Sequence, residues 1–304
     1  TAYLTALFSF DGLDLLLRQK DTYLAQLDAA RKSFAKGLGT RTEIDEAQAR
    51  IDMNMAQEFE ARQNVDYTLQ QLSILVNQPV DGSKLSRLNV SLFGVMTWPS
   101  SRLEDWISRA EANNPQMIAL RAQLESARGD VQKARSGHLP TLDAVAQWTN
   151  SKSENITSIQ TRNTNSVFGV QLNIPLFSGG ATNSAIRQAL ASVDKAENAL
   201  ESGRRDLGIR VRKEYRNITE SMPKLKAIEQ AVHSANQMVT SNRKSFAVGL
   251  RTSIDILNAE QQLSVAKRDL AQARYMFLIS KIRLLALVGE ADIAAIQSVN
   301  ELFL

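Results

Sequence analysis

The sequence has 304 residues, among them 14 Gly, 6 Pro and no Cys, with a formal net charge of +4. Gly and Pro together make up under 7% of the chain, against roughly 12% in average usage. That is too few for a fold of many short elements and suits a few very long helices. The absence of Cys excludes a disulfide framework, a thiolate metal site and a cysteine nucleophile. A charge this small does not by itself point to nucleic acid.

In chain order, the start from Thr1 to Phe10 is apolar but lacks the basic stretch and small-residue cleavage site of a signal peptide. With Leu4, Leu7, Phe8, Leu13, Leu15 and Leu16 it reads as the interior of a helix over 3–36, so the sequence is expected to be part of a longer chain. A second helix over 42–76 carries Ile44, Ala47, Ile51, Met55, Val65, Leu69, Leu72 and Leu75. Residues 78–101, between Pro79 and Pro99, read as irregular, and 102–137 as helix with Pro115 near a start. Pro140 and Pro175 bracket the only segment with strand character. Residues 181–246 and 252–288 are helical again. The first of these would be ~100 Å long at ~1.5 Å per residue, a length suited to a coiled coil, a membrane span or a helical tube. No run of 18 uncharged apolar residues is present, so no transmembrane helix is expected. Pro223 falls inside the long pattern and predicts a kink or break.

In that pattern Ile186, Val193, Leu200 and Leu207 recur every seven residues, with Ala189, Ala196, Gly203 and Arg210 three positions later. This is a coiled-coil stripe, or one whose small residues admit a close neighbour on one side.

The chain repeats itself without gaps, at the constant offset that takes Arg31 to Arg243. Arg31-Lys32-Ser33-Phe34-Ala35-Lys36-Gly37-Leu38 and Arg243-Lys244-Ser245-Phe246-Ala247-Val248-Gly249-Leu250 agree at seven of eight positions. The register continues through Thr40 and Thr252, Glu43 and Asp255, Ala47 and Ala259, and Arg62 and Arg274, as far as Val76 and Val288. Each copy reads as helix, Gly-Leu turn, helix, with Gly37 and Gly249 as C-cap glycines. Two helical hairpins per chain imply an internal duplication. The strand segment upstream of the second hairpin should then have a partner upstream of the first.

That strand segment alternates. Leu142, Ala144, Ala146 and Trp148 share one face of 141–149, and Phe168, Val170, Leu172 and Ile174 one face of 167–177. A polar loop, Asn150 to Ser166, lies between. Period two fits a membrane β-barrel strand with a wet lumen, or a hairpin packed on a soluble core. A lone hairpin is marginal by itself.

His138-Leu139-Pro140-Thr141-Leu142-Asp143, Val170-Gln171-Leu172-Asn173-Ile174-Pro175-Leu176-Phe177-Ser178-Gly179-Gly180, Asn113-Asn114-Pro115 and the two hairpin turns together resemble the TolC family of bacterial outer-membrane efflux and type I secretion channels. The resemblance implies a mainly α fold with a small β part. Long antiparallel hairpins would form a trimeric α-barrel in the periplasm, capped by a transmembrane β-barrel of four strands per full protomer and 12 per trimer. It divides the chain into a first hairpin (1–77), an equatorial connector (78–101), a helix (102–138), a barrel strand pair with its extracellular loop (139–178), a long helix with the second hairpin (179–289) and a C-terminal equatorial segment (290–304). About one barrel hairpin and its flanking helices would be missing from the start.

The family's function is that of a passive exit duct gated at the periplasmic helix tips. It works as a homotrimer in outer-membrane lipid, with a periplasmic adaptor and, through it, an inner-membrane transporter. No cofactor, metal or nucleic acid is implied, and no enzyme activity. The other reading is a periplasmic coiled-coil adaptor or scaffold, although adaptors carry one hairpin rather than two.

Carried over by position, Asp255 would belong to an acidic ring at the pore entrance, with Asn258 where the family often has a second acid. Arg251 would lock the closed tube against Thr42 and Glu43, with Phe246 standing where a Tyr hydroxyl can join. Lys36, Gly37, Leu38, Val248, Gly249 and Leu250 would dock the adaptor. Leu142, Trp148, Phe168, Val170, Leu172 and Ile174 would face lipid. From spacing alone, Asp255 also reads as a helix N-terminal acid favoured by the dipole, Arg251 as a surface cation, and the glycines as simple caps. His138 and His233 are isolated, Ser178-Gly179-Gly180 lacks the Lys of a phosphate loop, and no nucleophile–base set is visible.

Overall fold

The computed structural model describes residues 1–89, 102–155 and 158–303. Its elements are α1 (Ala2–Ala35), α2 (Arg41–Val76), α3 (Leu103–Asn113), α4 (Pro115–Ser136), β1 (Thr141–Asn155), β2 (Ser158–Asn173), α5 (Ala181–Ala247), α6 (Ser253–Val288) and α7 (Ile293–Asn300), with short 3-10 turns at Gly82–Lys84 and Glu301–Phe303. Pro99 and the connector beyond residue 89 lie outside the described residues. The chain forms two units, Thr1–Asn114 with Leu207–Leu304, and Pro115–Asp206.

The first unit holds both hairpins, and the sequence repeat recurs in their cores. Tyr23, Leu27, Ala47 and Ile51 form the buried cluster between α1 and α2. Ala235, Val239, Ala259 and Leu263, their repeat equivalents in the same order, form the one between α5 and α6. Both hairpins therefore close with the same four positions, about one helical turn apart on each strand of the hairpin. The clusters differ in one respect. Leu257, fully buried on α6, also enters the cluster of the first hairpin, and α6 packs on both α1 and α2.

The ends of the repeat also match. Asn77 ends α2 and Gly289 ends α6, both left-handed, at φ 53° and 76°, and these two positions are again repeat equivalents. The end of the unit away from the turns is capped by α3. Trp106 and Ala110 are buried, Asn114 Nδ2 donates to the Leu287 carbonyl at 2.9 Å, and Arg109 stacks 4.6 Å over Trp106 while pairing with Glu290. The chain ends fold back there: Tyr3 meets Phe303 edge to face, and the Asn89 N–H donates to the Leu302 carbonyl at 2.8 Å.

The expected single helix over 102–137 is two helices. Asn114 is extended (φ −64°, ψ 125°), because the ring of Pro115 clashes with a helical residue before it. Pro223, by contrast, does not break α5. It removes one N–H from a long ladder, and the neighbouring bonds hold the helix together. The seam is nevertheless open there. In the first hairpin Ser9 Oγ and Thr68 Oγ1 are 2.8 Å apart and buried. Their repeat equivalents, Ser221 and Ser280, instead line a cleft of about 440 Å³.

In the second unit, α4 runs beside the first part of α5. A Cβ on Gly203 would lie 2.5 Å from Leu120 Cδ1, so the small residues of the heptad pattern do admit a close neighbour. β1 and β2 form an antiparallel pair in which Leu142 faces Leu172, Ala144 faces Val170 and Ala146 faces Phe168. The two apolar faces read from the sequence are thus one continuous face. The expected loop over 150–166 is mostly strand, with pairs such as Thr149–Asn165, Asn150–Thr164 and Lys152–Arg162. Its polarity does not interrupt a ladder made of backbone bonds. β2 ends at Asn173 rather than at 177, just short of Pro175, which has no N–H to donate.

Gly249 and Gly289 both need left-handed φ, but only at Gly289 would a Cβ also meet a backbone atom, the Asn113 carbonyl oxygen at 2.6 Å. We expect Gly249→Ala to cost about 1 kcal/mol, from conformation alone, and Gly289→Ala to cost distinctly more. Urea-unfolding midpoints of the two variants check this, and equal midpoints would contradict the role given to Asn113.

Candidate functional site

The two hairpin turns are built alike. At the end of α1, Gly37 (φ 74°) donates its N–H to the Phe34 carbonyl at 2.9 Å and Leu38 to that of Ser33 at 3.0 Å. At the end of α5, Gly249 (φ 76°) donates to Phe246 and Leu250 to Ser245, both at 2.9 Å. These are Schellman closures. They leave Leu38, Val248 and Leu250 projecting into solvent, with Leu38 83% exposed. Lys36 lies in the first turn as its C-cap residue.

Both following helices start with a capping box. Thr40 Oγ1 accepts the Glu43 N–H at 3.3 Å while Glu43 Oε2 accepts the Thr40 N–H at 3.1 Å. Thr252 Oγ1 accepts the Asp255 N–H at 3.3 Å while Asp255 Oδ2 accepts the Thr252 N–H at 2.9 Å. Each pair satisfies two otherwise unpartnered donors of the first turn. Acids at positions 43 and 255 are therefore structural as well as electrostatic.

Asp255 also has a cation beside it. Arg251 Nη1 lies 3.6 Å from Asp255 Oδ1. The Thr252 N–H, then the Thr252 hydroxyl and the Arg251 charge, hold the Asp255 carboxyl below its ordinary value, so the group is an anion at neutral pH. It is the charged form that caps the helix and that an acidic pore ring needs.

Within a single chain the expected lock is not closed. Arg251 reaches Asp255, Glu43 is engaged in its own helix cap, and among the described residues no contact joins Arg251 to Thr42 or Glu43. Phe246 supplies only its carbonyl, to Gly249. Asn258 Oδ1 accepts a hydrogen bond from Arg50 Nη2 at 2.8 Å. Sequence reasoning passes over Arg50, because its spacing from Glu46 looks like an ordinary surface pair and nothing local signals a partner on the distant α6. At the strand pair, Leu142, Trp148, Phe168, Val170, Leu172 and Ile174 are all exposed. The first five lie on the paired strands, and Ile174 lies just beyond β2. Among the described residues no cluster of acids and histidines could hold a metal ion.

The cap makes stability at this turn pH-dependent. Because the folded carboxyl titrates below its ordinary 3.8, its contribution is complete above that value and is lost as pH falls through the lower folded value. Deuterium-exchange protection of the segment around 252–256, corrected for intrinsic rates, should fall on acidification below about 3.8. Thr252→Ala should weaken the turn at neutral pH by about 1 kcal/mol. Protection that stays flat down to pH 2 would contradict this role for Asp255.

The geometry is that of a duplicated hairpin protein with a strand pair, and comparisons with known proteins agree. A family model described as outer membrane efflux protein matches residues 106–290. The chain is 36% identical over 298 residues to the alkaline protease secretion protein AprF of Pseudomonas aeruginosa, covering 98% of this chain and 62% of that protein. It is 31% identical over 311 residues to the outer membrane protein TolC of Escherichia coli, with the same two coverages. The chain thus spans less than two thirds of the length of these relatives. The fold is also that of the outer membrane protein VceC of Vibrio cholerae (TM-score 0.76, 19% identity, 95% of this chain and 68% of that one). It is likewise that of the CmeC outer membrane channel of Campylobacter jejuni (TM-score 0.75, 16% identity, 99% and 64%). The chain belongs to the outer membrane efflux protein family, a family of bacterial outer-membrane proteins and not of enzymes.

Proposed function

We propose that this chain is the larger part of a homotrimeric exit duct, which carries substrates passively across the periplasm and outer membrane for an efflux pump or a type I secretion system. The observation that carries the reading is an asymmetry between the two copies of the repeat. On α6 the positions Ile279, Leu287 and Val288 are buried, at 7%, 8% and 0% exposure. Their repeat counterparts on α2 are Tyr67, Leu75 and Val76, which are 58%, 71% and 50% exposed. What covers this side of α6 is α1 of the first hairpin and, at the Leu287 end, α3 with Asn114. The repeat then calls for a helix equivalent to α1, which is the later part of α5, to cover α2. That helix must come from another copy of the chain. A contact of this kind is head-to-tail and generates a ring when the rotation closes, and a ring of such hairpins is a tube.

The strand pair fits the same assembly. Two strands have unpaired edges and little stability alone, and copies from neighbouring protomers would supply the partners. With the missing strands of the longer relatives, three protomers would give the expected 12. The continuous apolar face of Leu142, Phe168, Val170 and Leu172 would then meet lipid and the opposite, more polar face the lumen. Residues 78–89 and the C-terminal segment would belong to the equatorial band. At the other end, three Asp255 carboxylates would ring the entrance and favour cations, Arg251 would complete the lock with Thr42 and Glu43 in the closed trimer, and the exposed Leu38 and Leu250 tips would meet an adaptor. The name of the relative AprF, an alkaline protease secretion protein, and the family's description as outer membrane efflux protein leave protein secretion and efflux both within this reading.

The trimer face is tested with Tyr67→Asp and Leu75→Asp. Both side chains are exposed in the single chain, so helicity by circular dichroism should hold while the mass by light scattering in detergent falls from trimer to monomer. A trimer that survives both changes would contradict the proposed packing. In planar bilayers the full-length protein should conduct, and Asp255→Asn should relieve block by multivalent cations. Arg251→Ala should raise the conductance.

A further inference from the structure

Side-chain hydrogen bonds tie the first hairpin to the second. From α1, Gln19 accepts from Ser264 Oγ at 3.0 Å, and Asp11 accepts from Tyr275 OH at 2.6 Å. From α2, Arg50 makes two more, and these lie nearest the turns. Arg50 is about 14 Å along α2 from its first residue at ~1.5 Å per residue.

The Arg50 side chain is held from behind. Glu46, one turn earlier on the same helix, accepts from Nε at 3.2 Å and lies 3.1 Å from Nη2. That contact leaves the outer edge of the guanidinium facing α6. There Nη2 donates to Asn258 Oδ1 at 2.8 Å and Nη1 donates to Gln261 Oε1. Asn258 and Gln261 are three residues apart and so are neighbours on one helical face. A planar fork with fixed donor spacing matches two such acceptors, and a single ammonium does not. The side chain is 26% exposed, in reach of water once the fork is released.

Leu257 and Ile51 hold the same helices together by apolar contact. Apolar contact is non-directional and tolerates a small slide of one helix along the other. The fork does not, because its bonds fail outside a narrow range of distance and angle. We propose that Arg50 is a positioning residue that sets the register of the second hairpin against the first near the tips, and that releasing its fork from Asn258 and Gln261 is a step in opening the duct. The opening half of this statement rests on the channel reading above, and the clamp itself does not.

Two readouts on the full-length protein separate them. Deuterium exchange over 253–261 reads the clamp. Single-channel conductance reads its effect on opening. Arg50→Ala should lower protection of that segment at least tenfold and raise conductance severalfold. Arg50→Lys, which keeps the charge and loses the fork, should behave as Arg50→Ala, and wild-type behaviour of Arg50→Lys would overturn the two-point fork. The double variant Asn258→Ala/Gln261→Ala leaves Arg50 and Glu46 in place and should reproduce Arg50→Ala. Adding Arg50→Ala to it should change nothing more, and the double variant carries the test if Arg50→Ala fails to fold. Wild-type protection in both variants would overturn the clamp. Lost protection at unchanged conductance would overturn its role in opening. A wild-type protein that does not conduct would overturn the channel reading, with the clamp still judged by exchange.

Discussion

The structure of the first unit depends on α6 being packed on two sides. One side, through Ala259 and Leu263, closes the second hairpin against α5. The other, through Leu257, closes onto the first hairpin. The buried apolar residues of α6 run from Ile256 to Val288 and include Leu270, Phe277, Leu278, Leu284 and Leu287. Full burial of one such side chain is worth roughly 1.5–3 kcal/mol. The two hairpins are therefore joined far more by apolar area than by the polar links between them, and those links set alignment rather than adhesion.

This burial also explains the asymmetry of the repeat. α2 derives from the same pattern as α6 but, packed on α1 and meeting α6 near the turns, it leaves more of its apolar surface bare. Its outer residues Tyr67, Leu75 and Val76 are bared, where their equivalents on α6 are buried. Exposed large apolar side chains arranged along one element mark an interaction surface. At these positions the face is covered in one copy and bare in the other, and this is the asymmetry on which the proposed head-to-tail packing of copies rests.

The turns join mechanics to charge. Each is closed by a left-handed glycine and reopened into helix by a capping box, so the tip geometry is set by the turn's own neighbours in sequence and owes little to the rest of the fold. Asp255 shows why the two readings of an acid at this position are compatible. The hydrogen bonds that make it a cap also keep it ionised, and an ionised ring is what an entrance selective for cations requires. At the opposite end of α6, Gly289, Asn113 and Asn114 fit one another so closely that the helix end and α3 form one packed corner.

Much of this is legible in the sequence. The long helices, both glycine turns, the duplication and the two alternating faces of the strand pair follow from local rules: period, capping chemistry and the φ that only glycine adopts readily. These rules act between near neighbours, and a linear pattern carries them in full. Proline is harder to read. Pro115 divides a helix that the sequence shows as one, because its ring keeps Asn114 extended, while at Pro223 α5 continues on the bonds either side of the one lost. The polar stretch after Asn150 reads as a loop, yet it is strand, since pairing depends on backbone groups that every residue carries. Arg50 is not legible at all. Its partners, Asn258 and Gln261, are brought to it only by the packing of α2 on α6, and no local signal encodes a contact between positions so far apart along the chain. The sequence by itself determined the long hairpin helices, their turns and their repetition. Only the tertiary structure decided which copies of a repeated face are covered, and which arginine among many surface pairs bridges two hairpins, because both depend on what lies opposite in space.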